Sequence, residues 1–173
     1  MEMAFLSKRE ALNLMPGEMF FGHHQGCIYT LLGSCVAITL WHPKTQLVGM
    51  SHYLLSQRFI GNTEKAKQPE GYYASDVVAY FSLQCRRYHI NPKDCVVKVF
   101  GGSSMFSVNY EKTAVINVAQ QNIQLGMQLL QEHDFRIHCH DVGGNRYRKV
   151  CLDVQNGDVW VQYGRSYARE IAY

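Results

Sequence analysis

The chain has 173 residues, 47% hydrophobic and 18% charged, with a formal net charge of +3. That length predicts one domain spanning 1–173, and the apolar fraction is enough for a sizeable core. No run of Lys or Arg stands out, which gives no case for nucleic acid or an anionic membrane, and no uncharged apolar stretch is long enough to span a bilayer.

The opening MEMAFLSKREALNLMPG carries charges and no long apolar run, so no signal peptide is expected and a cytoplasmic location is. In such a setting the six cysteines, Cys27, Cys35, Cys85, Cys95, Cys139 and Cys151, are expected as free thiols. None forms a C-x-x-C pair, and they are spread one per element, as buried small hydrophobes are.

Met15–Gly22 reads as a turn leading into a short strand. Cys27–Leu40 is rich in β-branched and apolar residues and reads as a strand broken near Gly33-Ser34. HPKTQ (His42–Gln46) is a turn signal, and Leu47–Leu55 is the return strand, so residues 27–55 read as a hairpin. Ser56–Gly71 is polar, with Gly, Asn and Pro, and is the longest predicted loop.

Ala74–Tyr88 has helical spacing, with Val77, Val78, Phe81 and Cys85 on one face, Ser75 as a cap and Asn91-Pro92 as a stop. Asp94–Phe100 reads as a strand ending in the polar turn Gly101-Gly102-Ser103-Ser104. Asn117–Gln131 is a second amphipathic helix, with Val118, Ile123, Leu125, Leu129 and Leu130 as its apolar set. Arg136–Val142 is a strand ending in Gly143-Gly144-Asn145. Lys149–Gln155 and Val159–Tyr163 flank Asn156-Gly157, a two-residue hairpin signal.

Cys35 and His52 carry the candidate chemistry. If their strands are neighbours, a thiol and an imidazole meet. Cleaving an amide needs a nucleophile for the carbonyl carbon and an acid for the departing nitrogen, and a Cys–His pair supplies both. Backbone N–H groups at the Gly33-Ser34-Cys35 turn would hold the developing oxyanion. The alternative is that Cys35 is only packed. His138-Cys139-His140-Asp141 suggests a metal, but no second ligand cluster has a familiar spacing, and strand histidines on a polar face are the better reading. The two glycine turns match no nucleotide-binding pattern and are expected to shape a cleft wall.

Four ordered blocks, LLGSCVAITLWHP, GMSHYLL, FGGSSMF and DVGGNRYRKV, resemble the CheD family of chemoreceptor glutamine deamidases. The resemblance runs from about Met15 to Tyr163. It implies an α/β (α+β) fold, a layered sandwich of hairpin-rich mixed sheets with two main helices, related to the deamidating domain of cytotoxic necrotizing toxins. It implies Cys35 as nucleophile, His52 as general base and an upstream Thr as third residue. Thr30 is the best match, while strand parity alone favours Tyr29; either is open at this level. No metal or organic cofactor is implied. The implied partners are cytoplasmic helices of chemoreceptors, methyl-accepting chemotaxis proteins, and a CheC-type phosphatase, with a monomer expected. Rival readings are a non-catalytic adaptor for such a phosphatase and a receptor methylesterase.

Overall fold

The computed structural model describes residues 11–57, 71–104 and 118–164. The described residues form two mixed sheets and two helices. Most of the predicted Ser56–Gly71 loop, the start of the chain, Met105, Phe106 and Asn117 lie outside them.

In chain order the elements are β1 (Ala11–Asn13), β2 (Met19–Gly22), β3 (Cys27–Leu32), β4 (Val36–His42), β5 (Leu47–Ser51), α1 (Ala74–Arg87), β6 (Val96–Gly101), α2 (Val118–Glu132), β7 (Ile137–Val142), β8 (Arg148–Asp153) and β9 (Val159–Tyr163). One sheet has the order β1-β3-β8-β9, the other β2-β5-β4-β6-β7. The pairs β1–β3 and β6–β7 are parallel and the rest antiparallel.

Two apolar clusters show how the layers stack. Val36, Ile38 and Leu40 of β4 pack with Val77, Val78, Phe81 and Cys85 of α1 and with Ile123 and Leu130 of α2. Ala37 of the same strand, with Val48, Met50 and Phe100, packs instead with Ile28, Leu32, Val150 and Leu152 of the other sheet. The order is helices, five-stranded sheet, four-stranded sheet. β4 is covered on both faces, which is why it reads as a continuous apolar run without alternation. β3 is covered on one face: Ile28, Thr30 and Leu32 are buried while Leu31 is 59% exposed.

The expected hairpin over residues 27–55 is corrected. Cys27–Leu32 pairs with β8, whereas Val36–His42 pairs with β5 and β6. The chain changes sheets at Gly33-Ser34-Cys35, and only β4 and β5 form the hairpin. Periodicity could not reveal this, because both halves of the run are strands.

α1 buries the predicted face, but its cap differs from expectation. Tyr73 occupies the N-cap with no side-chain cap bond, and the Ser75 hydroxyl turns to Asp76 Oδ1 at 3.3 Å. α2 matches its predicted face in part: Ile123 and Leu130 are buried and Leu129 packs against the core, but the buried face also takes in Asn122 and Gly126. It buries Ala119, Asn122, Ile123, Gly126 and Leu130, and Val118 is 41% exposed. Asn122 is held there by polar contacts: the Tyr53 hydroxyl donates to the Asn122 carbonyl at 2.7 Å, and the Asn122 amide donates to the Leu54 carbonyl at 2.6 Å. A Cβ at Gly126 would overlap the Tyr53 hydroxyl, so glycine admits that ring.

One further expectation changes. The β8–β9 connection has five residues, 154–158, and the Asp153 N–H donates to the Asp158 carbonyl at 2.8 Å. β7 carries a register shift at its start, pairing Val97 with Ile137 and Lys98 with Cys139. The skipped His138 loses strict alternation, and His138, Cys139 and His140 are all exposed. Among the described residues no helix is long and apolar enough to cross a membrane, and no group of three His, Cys, Asp or Glu side chains is placed to hold a metal ion.

Candidate active site

The change of sheets at Gly33-Ser34-Cys35 sets the site. Thr30 stands on β3 in one sheet. His52 directly follows β5 in the other. Cys35 lies in the crossing turn between them.

Past the end of β5 the β4–β5 ladder continues through an antiparallel bridge from Val36 to Tyr53. Both backbone bonds of that pair form, at 3.0 and 2.9 Å. The register therefore sets Ala37 opposite His52 and Cys35 opposite Leu54. Cys35 and His52 are diagonal neighbours on one face of the ladder, a relation that an aromatic ring such as the imidazole can span. That face is the one Ala37 presents toward the second sheet. Cys35 is half-buried, whereas Cys27, Cys85, Cys95 and Cys151 are buried and Cys139 is exposed. All six are unbridged.

Thr30 and His52 meet across the inter-sheet gap. Thr30 Oγ1 lies 2.7 Å from His52 Nδ1 and 2.6 Å from the Leu14 carbonyl oxygen. The carbonyl can only accept, so the single Thr30 hydroxyl proton goes to it and the hydroxyl oxygen accepts from Nδ1–H. We assign the Nδ1–H tautomer to His52 on this basis. Nε2 is left as the basic nitrogen. Tyr29 is half-buried with its ring under the Lys149 ammonium at 5.6 Å, on the opposite side of β3.

The His52 backbone is held as firmly as its ring. Gly17 N–H donates to the His52 carbonyl at 2.8 Å and His52 N–H to the Glu18 carbonyl at 3.0 Å. Thus Leu14, Gly17 and Glu18 buttress the histidine from one turn. No side-chain pattern announces this, because the groups involved are main-chain.

Electrostatics favour an uncharged resting pair. Burial pushes the Cys35 thiol up, against a smaller opposing effect of the Ser34 hydrogen bond. Burial pushes the His52 imidazole down, against a smaller effect of the Leu14 carbonyl. A neutral thiol beside a neutral imidazole can pass its proton when a substrate carbonyl is presented, and the imidazolium then supplies that proton to a leaving amine.

The two glycine turns brace the crossing turn. Gly102 N–H donates to the Cys35 carbonyl and Ser103 N–H to the Gly33 carbonyl, both at 2.8 Å. Gly101 has φ of +109°, and a Cβ there would overlap the Cys35 carbonyl oxygen. Gly143 N–H bonds to the Gly101 carbonyl at 2.8 Å and Ser104 N–H to the Gly144 carbonyl at 2.7 Å. The sequence reading of these turns as cleft wall understated their part: they hold the backbone on both sides of Cys35.

A family model described as CheD chemotactic sensory transduction matches residues 54–163. Curated relatives extend the match across the candidate site's elements. A Pseudomonas syringae pv. tomato protein named "Probable chemoreceptor glutamine deamidase CheD" is 33% identical over 87% of this chain and 87% of its own length. An Albidiferax ferrireducens protein, "Probable chemoreceptor glutamine deamidase CheD 2", is 37% identical over 85% of this chain and 83% of its own. A Dechloromonas aromatica protein, "Probable chemoreceptor glutamine deamidase CheD 3", is 35% identical over 91% and 90%. Among solved structures, the Bacillus licheniformis hypothetical protein YfiH is 12% identical, covering 71% of this chain and 49% of that one, with a TM-score of 0.47. A likeness at that level carries no functional weight.

Proposed function

The chain belongs to the CheD family, and from that premise we propose that it is a chemoreceptor glutamine deamidase. It converts glutamine side chains on the cytoplasmic helices of methyl-accepting chemotaxis proteins to glutamate. The single observation that carries the proposal is the hydrogen bond from His52 Nδ1 to Thr30, which leaves Nε2 as a base on the same ladder face as Cys35.

The steps balance without a cofactor. His52 Nε2 takes the Cys35 thiol proton as Sγ attacks the glutamine carboxamide carbon. The carbonyl oxygen becomes an oxyanion, which backbone N–H groups of the Gly33-Ser34-Cys35 turn stabilise. The tetrahedral intermediate collapses, the C–N bond breaks, and Nε2–H protonates the nitrogen, which leaves as ammonia. Nε2 then takes a proton from water as the water oxygen attacks the thioester carbon. Glutamate leaves, and the proton returns to Cys35. Cys35 is the nucleophile and His52 the acid and base. Thr30 is a positioning residue that holds the ring and its tautomer. The thioester intermediate also accounts for why a glutamyl methyl ester is a conceivable second substrate of the same pair.

Further parts of the proposal rest on the family resemblance. The protein acts in the cytoplasm, as a monomer folded as one domain over 1–173. It binds a CheC-type phosphatase as a second partner. Its finer kinship, as that resemblance implies, lies with the deamidating domain of the cytotoxic necrotizing toxins.

The test is incubation with a receptor cytoplasmic fragment, with Gln-to-Glu conversion mapped by mass spectrometry and Cys35→Ala as control. Conversion lost in Cys35→Ala is the expected outcome. Conversion that persists in that variant overturns the mechanism. No conversion on any receptor fragment, together with tight binding of a phosphatase, favours the adaptor instead. Methanol release from methylated receptor marks esterase activity.

A further inference from the structure

We propose that Arg148 is a positioning residue for the Cys35 nucleophile, acting through Ser103. The proposal rests on the deamidase reading of the site and adds residues that the Cys–His–Thr set does not contain.

Arg148 is placed where the chain changes sheets. It opens β8 and pairs in register with Leu32, the last residue of β3 before the crossing turn. Both side chains point inward, and Arg148 is only 5% exposed. Its Nη1 donates to Ser103 Oγ at 2.5 Å and its Nη2 to Asp141 Oδ1 at 2.9 Å. Asp141 Oδ2 in turn accepts from the Tyr163 hydroxyl, and the Arg148 guanidinium lies 5.5 Å from the Tyr163 ring centroid.

Ser103 converts this buried charge into a constraint on the nucleophile. Its hydroxyl donates to the Arg146 carbonyl at 2.6 Å while accepting from Arg148. Its backbone N–H donates to the Gly33 carbonyl, beside the Gly102 bond to the Cys35 carbonyl. With the hydroxyl locked on one side and the N–H on the other, Ser103 fixes the turn from Gly33 to Cys35. The chain of contacts is Asp141, Arg148, Ser103, Gly33, Cys35.

Packing alone does not call for an arginine here. A buried ion pair is weak support for stability, and apolar residues of similar volume often serve as well or better. The Arg148 Nε is buried without a hydrogen-bond partner among the described residues, a further cost of having the group there. What the guanidinium provides is a rigid fork with two fixed directions, one to Asp141 and one to Ser103. Such a fork holds a turn in place to the tolerance that nucleophilic attack requires.

The experiment uses the full chain with Arg148→Met and Ser103→Ala, each checked for folding by circular dichroism. Iodoacetamide alkylation is followed on the Cys35 peptide across pH, and receptor deamidation is measured in parallel. The expected result is alkylation of Cys35 slowed about tenfold, with a displaced pH midpoint, and kcat reduced about tenfold with KM changed less than about twofold. Ser103→Ala gives the same signs, and it decides the matter alone if Arg148→Met does not fold. Folded variants with the wild-type Cys35 alkylation profile overturn the proposal, even if their thermal stability is lower. If the profile moves but wild-type protein deamidates no receptor fragment, the positioning role stands and the deamidase reading fails.

Discussion

Thr30 Oγ1 lies 2.7 Å from His52 Nδ1, joining the two sheets at the point where the chain crosses between them. One hydrogen bond thus does two jobs. It orients the imidazole, and through the Leu14 carbonyl it decides which ring nitrogen carries the proton.

Removing that hydroxyl isolates its effect. Thr30→Val keeps the shape and drops the acceptor. Deamidation is expected to fall about 10- to 100-fold in kcat, by analogy with the loss of the partner that orients a metal-ligating histidine. Thr30→Ser keeps the acceptor and is expected to retain most of the activity. Steady-state kinetics on a receptor fragment check both, and a Thr30→Val enzyme as fast as wild type rejects the role.

The depressed His52 pKa makes a stability prediction with a definite sign. Folding lowers this pKa because burial disfavours the imidazolium. Between the folded and unfolded values the unfolded chain binds more protons. The His52 contribution is therefore fully present above the unfolded value of about 6.5 and is lost as pH falls through the folded value. Melting temperature measured from pH 8 down to pH 5 is expected to drop more steeply in wild type than in His52→Gln. The same protonation removes the base, so the acid limb of the deamidation profile should lie below about pH 6.5.

Gly101 tests the brace behind Cys35. Its φ of +109° disfavours any L side chain, and an added Cβ would overlap the Cys35 carbonyl oxygen. Gly101→Ala is expected to cost at least about 1–3 kcal/mol from backbone conformation. Urea denaturation reads that loss. At a denaturant-free, fully folded temperature its kcat should still be depressed, because relief of the overlap moves the Cys35 backbone.

Tyr53 and Gly126 form a pair suited to a double-mutant cycle. Gly126→Ala drives a methyl into the Tyr53 hydroxyl, with an expected cost of about 1–3 kcal/mol. Tyr53→Phe removes the bond to the Asn122 carbonyl, at about 0.5–1.5 kcal/mol. In the Tyr53→Phe background the cost of Gly126→Ala should shrink, since the overlapping atom is gone. Additive costs would mean that the hydroxyl and the glycine do not interact.

Some of this protein is written along the chain. The face of α1 follows from the helical spacing of Val77, Val78, Phe81 and Cys85, and burial agrees. The β4–β5 hairpin follows from two apolar runs around HPKTQ. Cys35 and His52 stand out because a Gly-Ser-Cys step and a histidine after an apolar run are local signals of chemistry. The face of α2 was legible only in part: Ile123 and Leu130 are buried as their spacing suggests, but Asn122 is polar and Gly126 has no side chain, and both are buried where Tyr53 packs.

What only the tertiary structure decided is how the site is assembled. Sequence periodicity reports which side of a strand is buried, not which sheet the strand joins, so it could not see the crossing at Gly33-Ser34-Cys35. Strand parity carried through that turn favours Tyr29, whereas the crossing turns Thr30 toward His52 and leaves Tyr29 on the far side. Leu14, Gly17, Glu18 and Gly102 act through main-chain groups, which every residue possesses and no residue type advertises. The sequence by itself marked Cys35 and His52 as the candidate residues and fixed the local elements that carry them. Their alignment was decided by long-range pairing, because hydrogen bonds between segments distant in the chain depend on three-dimensional register rather than on spacing.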